Sequence, residues 1–433
     1  MGTIPQDWDT CAIGDFTLAA QYGLSIRGES AGSYPILRMN CQVDGEVSLQ
    51  DLQYVDIDER TLAAFALNRG DILFNRTNSY ELVGRSAVFD HDVKAVFASY
   101  LVRLAVDRTR VDPHFLNFLI NWDVAQNELK KLASRGVSQA NISASKLKEF
   151  SVHLPSLREQ KSIAQVLRKV RGHIVQEFEL EDRSRSLKLT TLSELFTRGM
   201  SGEAQKETEI GPVPESWDVV DFKSVREWLQ YGTSVHCSLE KKRYPVLRIP
   251  NVEPGRVDAS ELKYCDLSDD EAAKYLLRAG DLLFIRTNGV IERLGACAVY
   301  RGDPQAALFA SYLIRARLKD SVDPRYVAYF YGSALGTSLV AGRATPAADG
   351  KYNLNTGTID SLPLPLPPNL EVQHEIVTIL DALDRKIELH QKRRAILEEL
   401  FKALLHKLMT GELRVDQLTL SALDASQPQE AVS

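Results

Sequence analysis

The sequence has 433 residues, of which 44% are hydrophobic and 25% are charged, so it contains enough apolar material for two to four globular domains. The net charge of −6 argues against a protein that binds duplex DNA on its own, because phosphate contacts usually make such proteins basic. The sequence contains neither an apolar run of about 18 residues nor an N-terminal signal peptide, so we expect a cytoplasmic protein without a membrane span.

The cysteines give no sign of a cross-linked or metal-bound fold. There are five, at positions 11, 41, 237, 265 and 297, and no two are spaced as Cys-x-x-Cys. An odd number without that spacing argues against a disulfide framework and against a structural zinc site. We expect five free thiols in a reducing compartment.

The first half of the chain is repeated in the second half. Pro5 and Trp8 match Pro214 and Trp217. Four further blocks recur at offsets of 210 to 212 residues: 34–38 and 244–248, 70–78 and 280–288, 97–103 and 309–315, and 111–113 and 322–324. A repeat of this length indicates duplication of a whole module, not a short solenoid repeat.

Each module is predicted to begin with a compact α/β (α+β) domain of about 150 residues. The apolar runs 96–102 and 308–314 are typical of buried strands. Asp112 and Asp323, each followed by proline, are predicted to cap helices. The aromatic residues of the second of these helices, Tyr326, Tyr329 and Phe330, are interpreted as core residues and not as a stacking surface.

Two polar segments of each domain differ between the halves and are predicted to be loops. Their Arg, Asn, Gln and Lys side chains are of the types that read base edges through paired hydrogen bonds. The candidate DNA-binding residues of the first half are Arg76, Thr77, Asn78, Ser79, Tyr80, Arg85, Ser138, Gln139 and Asn141. Those of the second half are Arg286, Thr287, Asn288, Arg293, Lys351, Tyr352 and Asn353.

The Arg-Thr-Asn sequence common to both segments has a second interpretation. It is also typical of a turn in which Asn78 bonds its own backbone. Because these three residues recur in both halves, their differing neighbours are the better candidates for sequence readout.

A long helix is predicted after each domain. Ser156 and Glu159 form a capping-box pair at the start of the first helix, and Asn369 is a suitable cap for the second. The second helix has a coiled-coil seam made of Ile376, Leu380, Leu383, Ile387, His390, Arg394, Leu397, Phe401, Leu404 and Leu408. The simplest arrangement is mutual packing of the two helices, and the alternative is that each helix packs on its own domain.

The offset between the helices changes along their length. Ile174 aligns with Ile387 at an offset of 213, whereas Leu195 aligns with Leu404 at an offset of 209. We therefore predict about four extra residues in the middle of the first helix, which correspond to roughly 6 Å of additional length.

The sequence shows no catalytic signature. An adenine-methyltransferase tetrapeptide, a Gly-rich cofactor loop after a strand and a phosphate-binding loop are all missing, and the eight histidines are scattered. Two alternatives to a DNA-reading protein remain. One is a methyltransferase or nuclease with an unrecognised active site, and the other is a coiled-coil scaffold without DNA readout.

Three segments resemble the specificity subunits of type I restriction–modification enzymes. They are G-D-I-L-F-N-R-T-N-S-Y-E-L-V-G-R at 70–85, L-P-S-L-R-E-Q-K-S-I-A at 154–164 and I-G-P-V-P-E-S-W at 210–217. The duplicated layout strengthens the resemblance, which extends to about residue 413. Residues 289–292 depart from the usual continuation of the first block, which puts the shape of that loop in doubt.

The resemblance implies a function and a set of partners. Each domain would recognise one half of a bipartite double-stranded DNA site, and the two helices would pair antiparallel to set the distance between the half-sites. The subunit itself would be non-catalytic. Two methyltransferase subunits would bring S-adenosylmethionine for adenine methylation, and two restriction/translocase subunits would use ATP and Mg.

The domain boundaries expected from the repeat are target-recognition domains at 1–155 and 201–368, long helices at 156–200 and 369–413, and a disordered tail at 414–433.

Overall fold

The computed structural model describes residues 5–136, 139–200, 202–348 and 350–418. The chain forms two compact units, each of which contains a part of both long helices. Unit 1 comprises residues Met1–Glu177 and Lys392–Ser433, and unit 2 comprises Phe178–Gln391. No helix within the described residues is long and apolar enough to cross a membrane.

The first half of the chain contributes fourteen strands and five helices within its described residues. The strands are β1 Asp9–Ala12, β2 Thr17–Tyr22, β3 Tyr34–Leu37, β4 Gln42–Val43, β5 Glu46–Val47, β6 Gln53–Val55, β7 Asp71–Asn75, β8 Thr77–Asn78, β9 Ser86–Phe89, β10 Val96–Phe97, β11 Leu101–Val106, β12 Ser134–Arg135, β13 Ala140–Asn141 and β14 Ser151–Leu154. The helices are α1 Glu59–Phe65, α2 Pro113–Asn121, α3 Asp123–Lys131, α4 Ala144–Lys148 and α5 Leu157–Arg198.

The second half repeats these elements after an additional hairpin, β15–β16. The strands are β15 Gln205–Thr208, β16 Gly211–Pro214, β17 Asp218–Asp221, β18 Arg226–Tyr231, β19 Tyr244–Leu247, β20 Val252–Glu253, β21 Gly255–Val257, β22 Lys263–Cys265, β23 Leu282–Ile285, β24 Thr287–Asn288, β25 Cys297–Val299, β26 Leu308–Phe309, β27 Leu313–Leu318, β28 Thr345–Pro346, β29 Tyr352–Asn353 and β30 Pro363–Leu366. The helices are α6 Phe222–Val225, α7 Asp269–Ala273, α8 Pro324–Tyr331, α9 Ala334–Ala341, α10 Thr356–Asp360 and α11 Leu370–Met409.

The two units have the same mixed α/β topology. The main sheet of unit 1 has six strands in the order β2-β11-β7-β9-β5-β4, and that of unit 2 has the order β18-β27-β23-β25-β21-β20. Corresponding strands occupy corresponding places, and the parallel pair β5–β9 is repeated as β21–β25. The duplication predicted from the sequence is therefore a duplication of the fold.

The apolar runs predicted as single strands are each divided between two sheets. In unit 1, Val96–Phe97 pairs in parallel with β3, whereas Leu101–Val106 lies in the main sheet between β2 and β7. The chain turns between the two strands at Ser99 and Tyr100. The prediction of one strand over 96–102 is wrong because burial on both sides of the turn hides it from the hydrophobic pattern.

The predicted helix caps are present. Asp112 accepts a hydrogen bond from the backbone N–H of Phe115 at 2.9 Å, and Asp323 accepts one from that of Arg325 at 2.8 Å. The helix that follows Asp323 contributes Tyr326, Tyr329 and Phe330 to the core, where all three are buried. Their interpretation as core residues is confirmed.

The caps of the long helices are formed as expected, with one difference. Ser156 accepts a hydrogen bond from the N–H of Glu159, and Asn369 accepts one from the N–H of Val372. The Glu159 carboxylate, however, accepts two hydrogen bonds of 2.8 Å from Arg414 instead of completing a capping box.

The two long helices run antiparallel where they pair. In unit 2, Gln391 of α11 donates a hydrogen bond to Glu181 of α5. Seven residues further along α5, Lys188 donates one to Asp384, which lies seven residues back along α11. The predicted seam of α11 is buried or half-buried along its whole length, so the helix pairing is confirmed.

Each long helix also packs against a globular domain. In unit 1, Ile163 and Leu167 of α5 join the same hydrophobic core as Phe115 of α2 and Leu408 of α11. In unit 2, Leu195 of α5 and residues from the start of α11 join the core around Trp217, Tyr326 and Phe330. The two packing alternatives considered for the helices are thus both realised.

The predicted four-residue excess in the middle of the first helix is wrong. α5 has 42 residues and α11 has 40, so the helices differ by two residues. The seam of α5 continues at regular spacing through the buried polar residues Glu181 and Ser184. The other two of the four residues lie beyond the helix ends. There the segment 199–203 has five residues, whereas the corresponding turn 410–412 has three.

Residues just beyond α11 are ordered, in contrast to the disordered tail expected from 414 onward. Arg414 contacts Asp7 and Glu159, and Val415–Gln417 forms a 3-10 turn. Residues 419–433 lie outside the described residues.

Candidate nucleic-acid interface

The two candidate segments of unit 1 come together in a small sheet. Thr77–Asn78 (β8) pairs antiparallel with Ala140–Asn141 (β13), which in turn pairs with β12. The Asn141 amide donates a 2.7 Å hydrogen bond to the Thr77 hydroxyl. The prediction of loops is therefore wrong for these residues, which form two-residue strands too short for a hydrophobic pattern to reveal.

Unit 2 has the same small sheet in the same register. Thr287 pairs with Asn353 and Asn288 pairs with Tyr352, while β28 covers the other edge. Residues that are more than 60 apart in sequence thus form one surface in each unit. We call these surfaces hairpin sheet 1 (β8, β13 and β12) and hairpin sheet 2 (β24, β29 and β28).

Arg76 and Arg286 are held in equivalent positions beside these sheets. Each guanidinium lies 4.7 Å from the centre of a tyrosine ring, Tyr22 in unit 1 and Tyr231 in unit 2. Each also donates a long hydrogen bond to a backbone carbonyl, that of Ser99 at 3.3 Å and that of Ser311 at 3.4 Å. Both arginines are half-buried, and these contacts favour a positioning role over direct base readout.

The asparagines of the shared motif bond the local backbone, as the turn interpretation expects. Asn78 accepts a hydrogen bond from the N–H of Ser79 at 2.8 Å, and Asn288 accepts one from the N–H of Val290 at 3.0 Å. Arg85 is likewise half-buried and donates to the carbonyl of Asn121 at 3.3 Å. These three side chains stabilise the local chain path.

Two exposed side chains and one half-buried side chain form a basic and aromatic cluster at hairpin sheet 1. The Tyr80 ring is 38% exposed and has the Arg135 guanidinium 4.0 Å from its centre and the Lys130 ammonium 6.0 Å away. The backbone N–H of Gly136 donates to the carbonyl of Gln139 and closes the hairpin between β12 and β13. Ser138 lies outside the described residues.

Sequence reasoning missed Arg135 and Lys130. Their signal was the basic stretch 130–135, which directly precedes Gly136, but nothing in the sequence placed it beside Tyr80. A cation over an exposed aromatic ring is an arrangement found at surfaces that bind nucleic acids, since the cation can meet phosphates and the ring can stack.

Hairpin sheet 2 carries different exposed residues on the same scaffold. Arg293 is exposed in the 3-10 turn Ile291–Arg293, and Lys351 is exposed in the hairpin between β28 and β29. Tyr352 and Asn353 are half-buried within β29. Of the candidate residues of unit 2, Arg293 and Lys351 are therefore the most accessible.

The profile of the type I restriction modification DNA specificity domain matches the chain twice, over residues 5–179 and 214–399. The chain belongs to this family. The two matches correspond to the two repeated modules. The subunit is a DNA specificity subunit of a type I restriction–modification system, and such a subunit is a recognition component and carries no cofactor of its own.

Similarity to individual specificity subunits extends over nearly the whole chain. The inferred type I restriction enzyme MjaX specificity subunit of Methanocaldococcus jannaschii is 27% identical over 432 residues, with 96% of each chain covered. The type I restriction enzyme EcoKI specificity subunit of Escherichia coli is 24% identical, with 95% of this chain and 90% of that protein covered.

A solved structure shows the same fold. The type I restriction-modification system S subunit from M. genitalium matches with a TM-score of 0.61 at 16% identity, and the match covers 94% of this chain and 97% of that one.

Proposed function

We propose that the hairpin sheets of the two units each read one half of a bipartite double-stranded DNA site. The observation that carries this proposal is the contrast between a shared framework and differing exposed side chains. Arg76 and Arg286 have equivalent contacts. The positions of Tyr80 and Arg135 are occupied by Val290 and Pro346 in the other unit, which instead exposes Arg293 and Lys351. Arginine and lysine can pair with the major-groove edge of guanine, and each good pair contributes about 1–3 kcal/mol of discrimination.

The net charge of −6 fits a subunit that binds DNA within a complex. Methyltransferase and restriction subunits are the partners that the family implies, and we infer two copies of each because the module that would receive them is duplicated. The methyltransferase subunits would supply S-adenosylmethionine for adenine methylation, and the restriction/translocase subunits would supply the site for ATP and Mg. The long helices would set the spacing of the two half-sites.

The proposal is tested by mapping methylated adenines in DNA treated with this subunit and its methyltransferase partner. We expect one gapped, bipartite motif, and no methyl transfer by the purified subunit alone. The combined substitution Tyr80→Ala and Arg135→Ala should relax recognition of one half of the motif only. Arg293→Ala with Lys351→Ala should relax the other half only.

The two double variants serve as controls for each other, since both remove exposed side chains and neither touches the core. Relaxation of both halves by one double variant would contradict the assignment of one half-site to each unit. Unchanged motifs in both variants would show that the hairpin sheets are not the reading surfaces. Methyl transfer by the subunit alone would contradict its role as a non-catalytic reader.

A further inference from the structure

Two cysteines that are 28 residues apart in sequence face each other in unit 2. Ser238 and Tyr264 form an isolated antiparallel bridge and exchange both backbone hydrogen bonds, at 3.0 and 2.8 Å. The residue before Ser238 is Cys237, and the residue after Tyr264 is Cys265. In an antiparallel pair these two positions lie directly opposite each other.

The position of this cysteine pair suits a disulfide. Next to a hydrogen-bonded pair comes a non-hydrogen-bonded pair, whose Cα atoms are about 4.5 Å apart and whose side chains are on the same face. Disulfides span Cα separations of about 4.4–6.8 Å. The two side chains interact through their thiols, and both pack in the hydrophobic cluster that also contains Tyr244 and Leu308.

The pair is absent from the described part of unit 1 although the local fold is the same. There the corresponding bridge joins Glu29 to Tyr54, so that Gly28 and Val55 occupy the two positions. The bridge therefore forms without sulfur at these positions. The fold of the repeat therefore does not require cysteines at these positions, and within the described residues the facing pair is a feature of unit 2 alone.

The structure assigns Cys237 and Cys265 as a thiol modification site that forms a reversible cross-strand disulfide when it meets a low-molecular-weight disulfide. Cys237 is half-buried and is the accessible partner, whereas Cys265 is 1% exposed. The Cys237 thiolate attacks the reagent and releases one small thiol. The Cys265 thiolate then attacks the Cys237 sulfur, closes the bond and releases the second small thiol, so that two protein thiols are oxidised and one disulfide is reduced.

The surroundings set the rate of this reaction. Burial raises the pKa of Cys237, against a smaller lowering by Arg248 and Lys263. Burial, Cys237 and Asp266 raise the pKa of Cys265 to about 11, and Lys242 lowers it slightly. Because the thiolate is the reactive form, the pair should react slowly at neutral pH and faster as the pH rises.

The disulfide would fix the segment that connects β18 to β19. This segment, 232–243, ends in the basic run Lys241, Lys242 and Arg243, whose last two members pair with Asp266 and Asp269 beside β22. Oxidation would add a covalent bond between the segment and β22. The expected consequence is slower hydrogen exchange in 232–243 and a higher urea midpoint for unfolding of the oxidised chain.

The test is peptide mapping of the full chain after treatment with oxidised glutathione. Trypsin places the five cysteines in five separate peptides, so every disulfide can be identified by mass. We expect a linked species of peptides 227–241 and 264–274 that disappears on treatment with dithiothreitol. Its rate of formation should rise several-fold from pH 7 to pH 8.

Two variants complete the design. Cys237→Ser changes the half-buried partner with little risk to folding and should abolish the linked species, whereas Cys11→Ser, a control at another half-buried cysteine, should leave it unchanged. The inference is overturned by glutathione bound to Cys237 without closure to Cys265, or by links to other cysteines in the folded chain. Neither the proposal nor its test depends on DNA binding.

Discussion

Arg171 of α5 and Asp384 of α11 occupy the same position in the repeated module and carry opposite charges. The Arg171 guanidinium lies between the rings of Phe118 and Phe401, 4.6 and 4.9 Å from their centres. Asp384 instead accepts hydrogen bonds from Lys188, at 2.5 Å, and from the Tyr329 hydroxyl, at 2.8 Å. The two helices are therefore joined by a stacked cation in unit 1 and by an ion pair in unit 2.

The ion pair in unit 2 gives a first prediction. Lys188→Met should lower the free energy of unfolding by about 1 kcal/mol, a value that allows for the partial exposure of both charges. The loss arises because Asp384 and Asp381 both contact the Tyr329 hydroxyl, and removal of Lys188 leaves these neighbouring carboxylates with less compensating charge. Burial and these two carboxylates raise the pKa of Tyr329, so its hydroxyl keeps its proton.

The measurement is urea unfolding of the full chain, with Arg183→Met as control. Arg183 lies on the same helix but forms an exposed pair with Glu179, so its removal should change the unfolding midpoint very little. If the two substitutions lower the unfolding midpoint equally, the ion pair between the helices stabilises the protein no more than an exposed ion pair within one helix does.

The turn after α11 gives a second prediction. Gly411 has a φ of +70°, and a Cβ atom there would lie 2.3 Å from a ring carbon of Pro5. Gly411→Ala should therefore destabilise the protein by about 2–4 kcal/mol, because backbone strain adds to a steric clash. Gly202→Ala, at a φ of +59° and with nothing within 4 Å, should cost only about 1 kcal/mol.

Thermal unfolding of both variants would separate the cost of backbone strain from the cost of the clash with Pro5. A Gly411 variant no less stable than the Gly202 variant would mean that Pro5 moves aside without cost. The contact matters because it places the opening segment of unit 1 on the end of α11, as Pro214 lies against Gly199 at the end of α5.

The features predicted from the sequence are those carried by local or periodic patterns. The caps at Asp112 and Asn369 depend on residues within one turn, and the seam of α11 repeats every three and four residues. The duplicated fold followed from blocks that recur at an almost constant offset. Each of these signals is contained in a short window or in a comparison of the chain with itself.

The features missed depend on contacts between distant residues. The pairing of Asn141 with Thr77 and the approach of Arg135 to Tyr80 bring together two segments that are about 60 residues apart, and no short window of the sequence contains both. The pairing of Cys237 with Cys265 depends on one isolated bridge. The helix excess was overestimated because two of the four extra residues lie in the turn that follows α5, where hydrophobic spacing carries no information.

A third prediction contrasts two buried aspartates at equivalent positions. Asp281 accepts two hydrogen bonds of 2.8 Å from Arg317, with Arg315 also nearby. Its counterpart Asp71 has Ala105 in the position of Arg317 and accepts a hydrogen bond from the N–H of Asn68. Asp281→Asn should destabilise the protein by about 3–5 kcal/mol, because it leaves the buried Arg315 and the half-buried Arg317 without their carboxylate.

Asp71→Asn should have the opposite, pH-dependent effect. Burial raises the pKa of Asp71, so the folded state binds this proton more tightly than the unfolded state does. Below the pKa that Asp71 has in the unfolded chain, its carboxyl is protonated in both the folded and the unfolded state, and the stability of the variant should match that of the wild type. As the pH rises through the folded pKa, the wild type loses stability and the variant, whose amide oxygen keeps the bond to Asn68, becomes the more stable. Urea midpoints measured from pH 4 to pH 8 would check this, and a variant less stable than wild type at pH 7 would contradict it.

A last prediction separates positioning residues from DNA-contacting residues in the complex with the methyltransferase. Arg76→Ala should lower the melting temperature, because it removes the stack on Tyr22 and the bond to the Ser99 carbonyl. Any accompanying loss of DNA affinity should come with little change in salt dependence.

Arg293→Ala, at an exposed site, should leave the melting temperature unchanged and weaken DNA binding. If Arg293 contacts a phosphate, the slope of log affinity against log salt should fall by about 1, with equal weakening for all sequences. If it reads a base, the loss should instead be confined to the cognate sequence. If neither the salt slope nor the affinity for the cognate sequence changes, Arg293 contacts neither a phosphate nor a base. The contact with the second half-site would then lie elsewhere on unit 2.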